Sequence, residues 1–432
     1  MSAFFRYRPI LVLLVATLVY VLAVVQRMSP PVVALEIMND LVMDPDSLSL
    51  MFAVTMICYG AMQPVAGFWA DRFGPRRCLL VAALSLALAS VAFSLAQGLY
   101  MGLAARAVVG LAAGVALMPC LKLGSHWFSP RQFGLLSSAV VASAALGNFI
   151  VGRPLASFSS EFGWRWSFAG LGLIGLLLGL LVFLVVRDRP SLPVEGAAQD
   201  GPAPEAAGHQ RRSFLKTLGL MVREPEFWLL GFLYACTDLI FAVFTGLWAG
   251  PFLMEVYALS EVTVGNMLSI AALGFLVGPT LWTLLANAWN SYARVLVLIA
   301  GLNVLIALML VRGPGELSRG ALYALCFIAP VGAQVAGMIF VLARGLFPDD
   351  MAASAMGLIN IFAIVPGALM QKLIGGILAR GEMLEPALSA RELYSQAFMP
   401  LLICMILGVP LALWQLRREK RLKGSWNLFE KK

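Results

Sequence analysis

The sequence predicts an all-α integral membrane protein with twelve transmembrane helices in two six-helix bundles. Three observations carry this. Hydrophobic residues make up 60% of the chain and charged residues 12%, with a mean hydropathy of +0.87. A soluble globular chain carries about 25% charged residues. About twelve apolar runs follow one another, each near the roughly 20 residues that cross a bilayer as a helix. The rhythm breaks over residues 188–215, dividing the runs six and six.

The first run, 9–35, is too long for a removable signal peptide and lacks a small-residue cleavage site, so it is expected to be a retained span. Acidic residues follow it: Glu36, Asp40, Asp44 and Asp46. The second and third runs, 48–70 and 78–97, flank a glycine-containing loop with one acid and three arginines, which cannot lie in hydrocarbon. The fourth, 101–124, carries Arg106, Gly110 and Gly114 at i, i+4 and i+8, on one helix face. The fifth, 134–155, ends in Gly152-Arg153-Pro154. The sixth, 165–187, is headed by Gly163-Trp164-Arg165-Trp166, read as an aromatic interface anchor.

Arg187-Asp188-Arg189-Pro190 closes the first half, and the Pro-, Ala- and Gly-rich stretch to Gln210 reads as a flexible linker. Ser213–Arg223 has apolar residues at helical spacing, as in a short surface helix. Runs near 225–254, 261–285, 293–311, 320–344, 353–378 and 396–416 make the second half. The expected organisation is a bundle at 1–187, a linker at 188–224, a bundle at 225–417 and a basic tail at 418–432.

Lys and Arg crowd the loops on one side, including Arg72, Arg76, Arg77, Arg187, Arg223 and the tail from Arg417. By the positive-inside rule both termini are cytoplasmic, and a bacterial inner membrane is expected. The net charge of +8 follows from this bias and points to anionic lipid, not nucleic acid. The six cysteines are scattered in apolar runs with no metal spacing, and His126 and His209 have no metal-ligating neighbours in sequence. Neither a P-loop nor a nucleophile–base pair is legible. The expectation is therefore no enzyme, no cofactor and no ATP hydrolysis within this chain.

Gly67-Phe68-Trp69-Ala70-Asp71-Arg72-Phe73-Gly74-Pro75-Arg76-Arg77 resembles the loop between helices 2 and 3 of the major facilitator superfamily of secondary transporters. The resemblance covers essentially the whole chain, although only the first half carries strong motifs. Thr283, Asn287 and Arg294 stand where a second copy of the loop would lie, but the repeat there is degenerate. The resemblance implies a gating role for Gly67, Asp71, Arg72, Gly74, Arg76 and Arg77, with the aspartate near the start of helix 11. Arg106 with its glycines resembles the helix 4 motif of proton-coupled members, which implies a part in coupling.

An ionisable side chain inside a span is costly and marks function by default. Arg27 lies late in the first run, with Tyr20 on the same face, and Pro30-Pro31 are expected to end or bend the helix just beyond. An arginine in helix 1 of the superfamily's organophosphate antiporters binds phosphate, and a planar guanidinium suits carboxylate or sulfonate equally. Arg153 is expected at comparable depth. Lys122, at the other end of the fourth run, is expected to snorkel. Asp238 lies roughly 13 residues, about 20 Å, into the seventh run, near mid-bilayer, and suits a proton or cation site. Tyr59, Gln63, Gln334, Asn360 and Lys372 complete the expected substrate-binding set; Tyr234, Trp248 and Asn303 are further mid-span polar groups.

The expected function is proton-coupled uptake of a small organic anion by alternating access, by a monomer contacting substrate, protons and membrane lipids. Three alternatives stay open. A dipeptide or zwitterion carrier has support in a loose resemblance to relatives of the lysosomal dipeptide transporter. A drug/proton antiporter has partial support in Gly147–Pro154, which lacks the Gly-Pro dipeptide of that group's motif. A non-transporting metabolite sensor would have the same fold.

Overall fold

The computed structural model describes residues 2–128, 130–188, 219–313, 315–347, 355, 358–384 and 388–429. Among these residues there are twelve helical segments long and apolar enough to cross a membrane, and no strand. The all-α, multi-pass architecture predicted from hydropathy is the one observed. The chain divides into two compact units, Met1–Met43 with Val54–Arg212 and Asp44–Ala53 with Ser213–Lys432.

The first unit contains α1 (Ser2–Met28), α2 (Pro30–Asp40), α3 (Pro45–Phe73, whose first turns group with the second unit), α4 (Pro75–Ser94), α5 (Leu99–Trp127), α6 (Pro130–Val151), α7 (Arg153–Phe162) and α8 (Trp164–Val185). Several helices start at a proline, whose missing N–H is no loss in a first turn. The same property ends helices: the first run, 9–35, breaks at Ser29, before Pro30-Pro31, where the paired prolines are expected to end or bend the helix. The fifth run breaks likewise at Gly152, before Arg153-Pro154.

Small residues set the spacing in this unit. Side chains at Gly110 and Gly114 of α5 would meet Thr55 O at 2.2 Å and Tyr59 O at 2.8 Å on α3. Gly172 and Gly175 of α8 lie equally close to Val91 and Ala87 of α4. Gly74 turns α3 into α4 with φ +84°, a conformation costly for any side chain.

The Trp-Arg-Trp segment ties the far ends together instead of simply anchoring at an interface. Trp164 is buried and donates its indole N–H to Asp40 Oδ2 at 3.0 Å. Arg165 pairs with Asp40 at 2.8 Å and caps the Ser94 and Ala96 carbonyls of the α4 C-terminus. Ser159 of α7 donates to Glu36 of α2 at 2.8 Å. Trp166, by contrast, is 68% exposed, as an interface residue would be.

The second unit contains α9 (Pro225–Leu239), a π-helical segment (Ile240–Trp248), α10 (Ala249–Tyr257), α11 (Glu261–Ala288), α12 (Tyr292–Arg312), α13 (Arg319–Ala333), α14 (Ala336–Arg344), α15 (Ile361–Leu384), α16 (Ala390–Ala397) and α17 (Met399–Phe429). The seventh span is thus α-, π- and α-helical in turn, and the tenth breaks at Gln334-Val335. The last helix runs on through the basic stretch expected as a tail, held by Arg418 to Glu226 at 2.5 Å and by Glu419 accepting from Ala293 N at 3.0 Å. Most of the linker, most of the predicted surface helix and the expected start of helix 11 at Met351–Ser354 lie outside the described residues.

Candidate functional site

The break between α1 and α2 explains Arg106. In a continuous helix the carbonyls of Gln26 and Arg27 would accept from the N–H groups of residues 30 and 31. Both are prolines and have none. Arg106 reaches across from α5 and donates Nη1 to Gln26 O at 2.7 Å and Nη2 to Arg27 O at 3.4 Å. Its Nε donates to Thr55 Oγ1 at 3.3 Å, and the guanidinium lies 5.7 Å from the Phe93 ring centre. Arg106 is fully buried. It replaces the N–H groups missing at two consecutive positions and so fixes how α1 ends.

Arg27 is in a different situation. Its guanidinium is half-buried and lies 4.2 Å from the centre of the Tyr59 ring on α3. Among the described residues this guanidinium has neither a hydrogen-bond nor an ion-pair partner. Tyr20, two turns earlier on α1, lies within electrostatic reach of both Arg27 and Tyr59. Both tyrosines pack partly buried against an alanine-rich cluster that includes Ala23, Ala112 and Ala116. Gln63, one turn beyond Tyr59, is half-buried. Among the described residues the fully buried Gln26 amide has no hydrogen-bond partner for Oε1 or Nε2. Tyr20, Arg27 and Tyr59 are therefore brought together; Arg153 is exposed at the first position of α7.

In the second unit Asp238 is half-buried in the last turn of α9, immediately before the π segment. Two amides hold the backbone on either side of it. Asn303 of α12, buried, donates Nδ2 to Thr237 O at 3.0 Å and to Gly332 O at 3.3 Å. Gln371 of α15 donates Nε2 to Ala242 O at 2.6 Å, and its backbone carbonyl accepts from Trp248 Nε1 at 3.3 Å. These bonds take up carbonyls that the change of helix type and the break after α13 leave out of register. Asn303 and Trp248, read from sequence as possible lining groups, are thus engaged with backbone. Gln334 follows α13 with its Cβ packed on Gly278, and Asn360 accepts from the Tyr234 hydroxyl at 3.4 Å.

Lys372 of α15 is ion-paired with Asp46 and also donates to the Asp46 carbonyl at 3.3 Å. Gly375 lies tight against Ser49 and Pro45 O at the same contact. Asp44 opens α3 as a cap, accepting from Ser47 N at 2.9 Å, and the Ser47 hydrogen bonds hold its carboxyl below the ordinary value.

The signature loop is anchored within its own unit. Asp188 Oδ1 accepts from Arg76 N at 2.7 Å, and Arg76 Nη2 donates to Phe183 O at 2.6 Å. Trp127 Nε1 donates to Arg187 O at 2.9 Å, and Lys122 Nζ donates to Ala70 O at 3.1 Å. Arg72 and Arg77 are exposed. The side chain of Asp71 and the surroundings of Gly67 lie outside the described residues. Gln371, Asp46 and the tie to Asp188 were missed in the sequence. Gln371 beside Lys372 was the one legible signal, as a second polar residue deep in an apolar run.

The sequence profile of the Major Facilitator Superfamily matches residues 14–370. The chain is 27% identical over 190 residues to the probable sulfoacetate transporter SauU of Cupriavidus necator, a match spanning 44% of each chain. It is 23% identical over 384 residues, 85% of each chain, to the membrane sensor protein UhpC of Salmonella typhimurium. It superposes with a TM-score of 0.74 on a bacterial homolog of the human lysosomal transporter Spinster, at 17% identity, covering 95% of this chain and 97% of that one. That last likeness speaks to fold alone. With a profile match across most of its length and twelve membrane-spanning segments, the chain belongs to the Major Facilitator Superfamily of membrane transporters and is not an enzyme.

Proposed function

We propose that the protein takes up a small organic anion together with protons, by alternating access, with Arg27 as the primary anion contact. The observation that carries this reading is the Arg27 guanidinium, half-buried on a membrane-spanning helix and stacked on Tyr59 without a protein counter-ion among the described residues. A charge in such a place is costly unless compensated, and a substrate carboxylate, sulfonate or phosphate supplies the compensation. The Tyr59 face holds the guanidinium in place, and Tyr20 offers a hydroxyl beside it. Arg153, Gln63, Gln334 and Asn360 are secondary candidates for the substrate, and Asp238 is the proton site. Arg106 serves coupling through the shape it gives α1, and the signature loop gates. The inner membrane, cytoplasmic termini and monomeric state belong to the same proposal.

The likeness to a sulfoacetate carrier supports the anion class and makes sulfoacetate the first compound to try. The test is thermal stability of the detergent-purified protein against sulfoacetate, small carboxylates, phosphate esters, dipeptides and cationic drugs. A saturable rise with anions that vanishes in Arg27→Ala is expected. A rise with dipeptides or drugs alone overturns the reading. The likeness to UhpC along 85% of both chains favours a sensor as second reading. Saturable uptake into proteoliposomes decides for a transporter, and binding without uptake for a sensor.

A further inference from the structure

A groove of about 570 Å³ runs along the first unit between α3, α4 and α5. Each helix contributes one stripe: Arg77, Val81 and Ser85 from α4, Val108 and Val115 from α5, Trp69 from α3. Arg77, Val81 and Ser85 are spaced four apart and so lie on one face. Eight residues of helix rise about 12 Å, against about 15 Å for half of a bilayer's hydrocarbon core. The rim is open, with Val81 60% exposed and Val108 40%. The walls are largely apolar, and at one end Arg77 supplies the only charge among the described lining residues.

Of the three arginines in the signature loop, Arg76 is committed to the Phe183 carbonyl and Arg72 lies over Phe73 at 5.8 Å. Arg77 is exposed and, among the described residues, has no hydrogen-bond or ion-pair partner. Trp69 stands edge-on to Phe73 at 6.4 Å, a pair suited to the level of lipid headgroups.

We propose that this groove binds one anionic phospholipid, with an acyl chain along α3, α4 and α5 and its phosphate on Arg77. An apolar slot a leaflet deep selects a chain, and a guanidinium uncompensated among the described residues selects a phosphate at its mouth. A soluble anion would have no use for the slot, and a neutral lipid none for the arginine. Arg77 lies at the helix end expected on the cytoplasmic side, where anionic lipids attract basic residues.

The test is native mass spectrometry of the full-length protein, delipidated in neutral detergent and titrated with dioleoyl phosphatidylglycerol. Dioleoyl phosphatidylcholine and glycerol 3-phosphate serve as comparisons. One tightly held phosphatidylglycerol is expected, bound about tenfold more strongly than phosphatidylcholine. Arg77→Gln removes that preference, and Arg72→Gln, outside the groove, keeps it. Ser85→Phe, which fills the inner end, weakens both lipids, and Val81→Trp at the exposed rim does the same without entering the core. A preference that survives Arg77→Gln overturns the proposal. So does an equal loss in Arg72→Gln, competition by glycerol 3-phosphate as strong as by the whole lipid, or unchanged binding in the folded Val81→Trp protein.

Discussion

Arg106 is fully buried and spends its donors on backbone carbonyls, while Arg27 is half-buried and lies on a tyrosine ring. Their sequence neighbourhoods look alike, an arginine among apolar residues, and depth alone does not separate them. The difference comes from what each can reach. Arg106 faces the two carbonyls that Pro30 and Pro31 leave without a helical N–H; the Ser29 hydroxyl also donates to that of Gln26 at 3.1 Å, whereas a buried acceptor left without any donor costs about 1–3 kcal/mol. Arg106→Met is therefore expected to lower unfolding free energy by about 1–3 kcal/mol. In a Pro30→Ala, Pro31→Ala background the same change should cost distinctly less, because N–H groups at 30 and 31 then take the carbonyls. Thermal melts of the four proteins measure the difference, and equal losses in both backgrounds would show that Arg106 acts otherwise. The sequence made Arg106, Arg27 and the double proline conspicuous one by one. It did not show that the first answers the third, since that contact joins helices 80 residues apart.

At the scale of elements, hydropathy located the spans because each must satisfy its backbone internally and show an apolar surface. It did not locate the break at Gln334 or the π segment, which change only hydrogen-bond register, whereas Pro30-Pro31 marked the end of the first helix in advance and Pro154 stands just past the break at Gly152. Polar side chains from neighbouring helices decide where such irregularities persist. Asn303 holds the Thr237 and Gly332 carbonyls, and Gln371 holds that of Ala242. Asn303→Leu, similar in volume but without the donor, is expected to cost about 2 kcal/mol or more and to loosen the turn that carries Asp238. Hydrogen exchange over residues 234–248, alongside thermal melting, reads both effects. Unchanged protection would mean that the π segment is held by its own apolar packing.

At the scale of the whole molecule, uptake against a gradient requires that proton and substrate binding favour the same conformational change. Arg27 belongs to the first unit and Asp238 to the second, so the proposed roles in anion and in proton binding are separable by mutation. A carboxyl near mid-bilayer must gain and lose its proton within each cycle if it couples transport, and an amide at that position cannot. Asp238→Asn is therefore expected to retain exchange of labelled for unlabelled sulfoacetate, or of whichever anion the stability screen identifies, across proteoliposome membranes. It should lose accumulation driven by a pH gradient by about tenfold or more, the scale of a typical 1–3 kcal/mol coupling energy. Arg27→Ala should instead lose both activities, because the exchange step itself needs the bound anion. If Asp238→Asn still accumulates substrate with a pH gradient, the proton site lies elsewhere and Asp238 belongs to the scaffold around the π segment. If it loses exchange as well, Asp238 contacts the substrate directly, and a zwitterion carrier becomes the better reading.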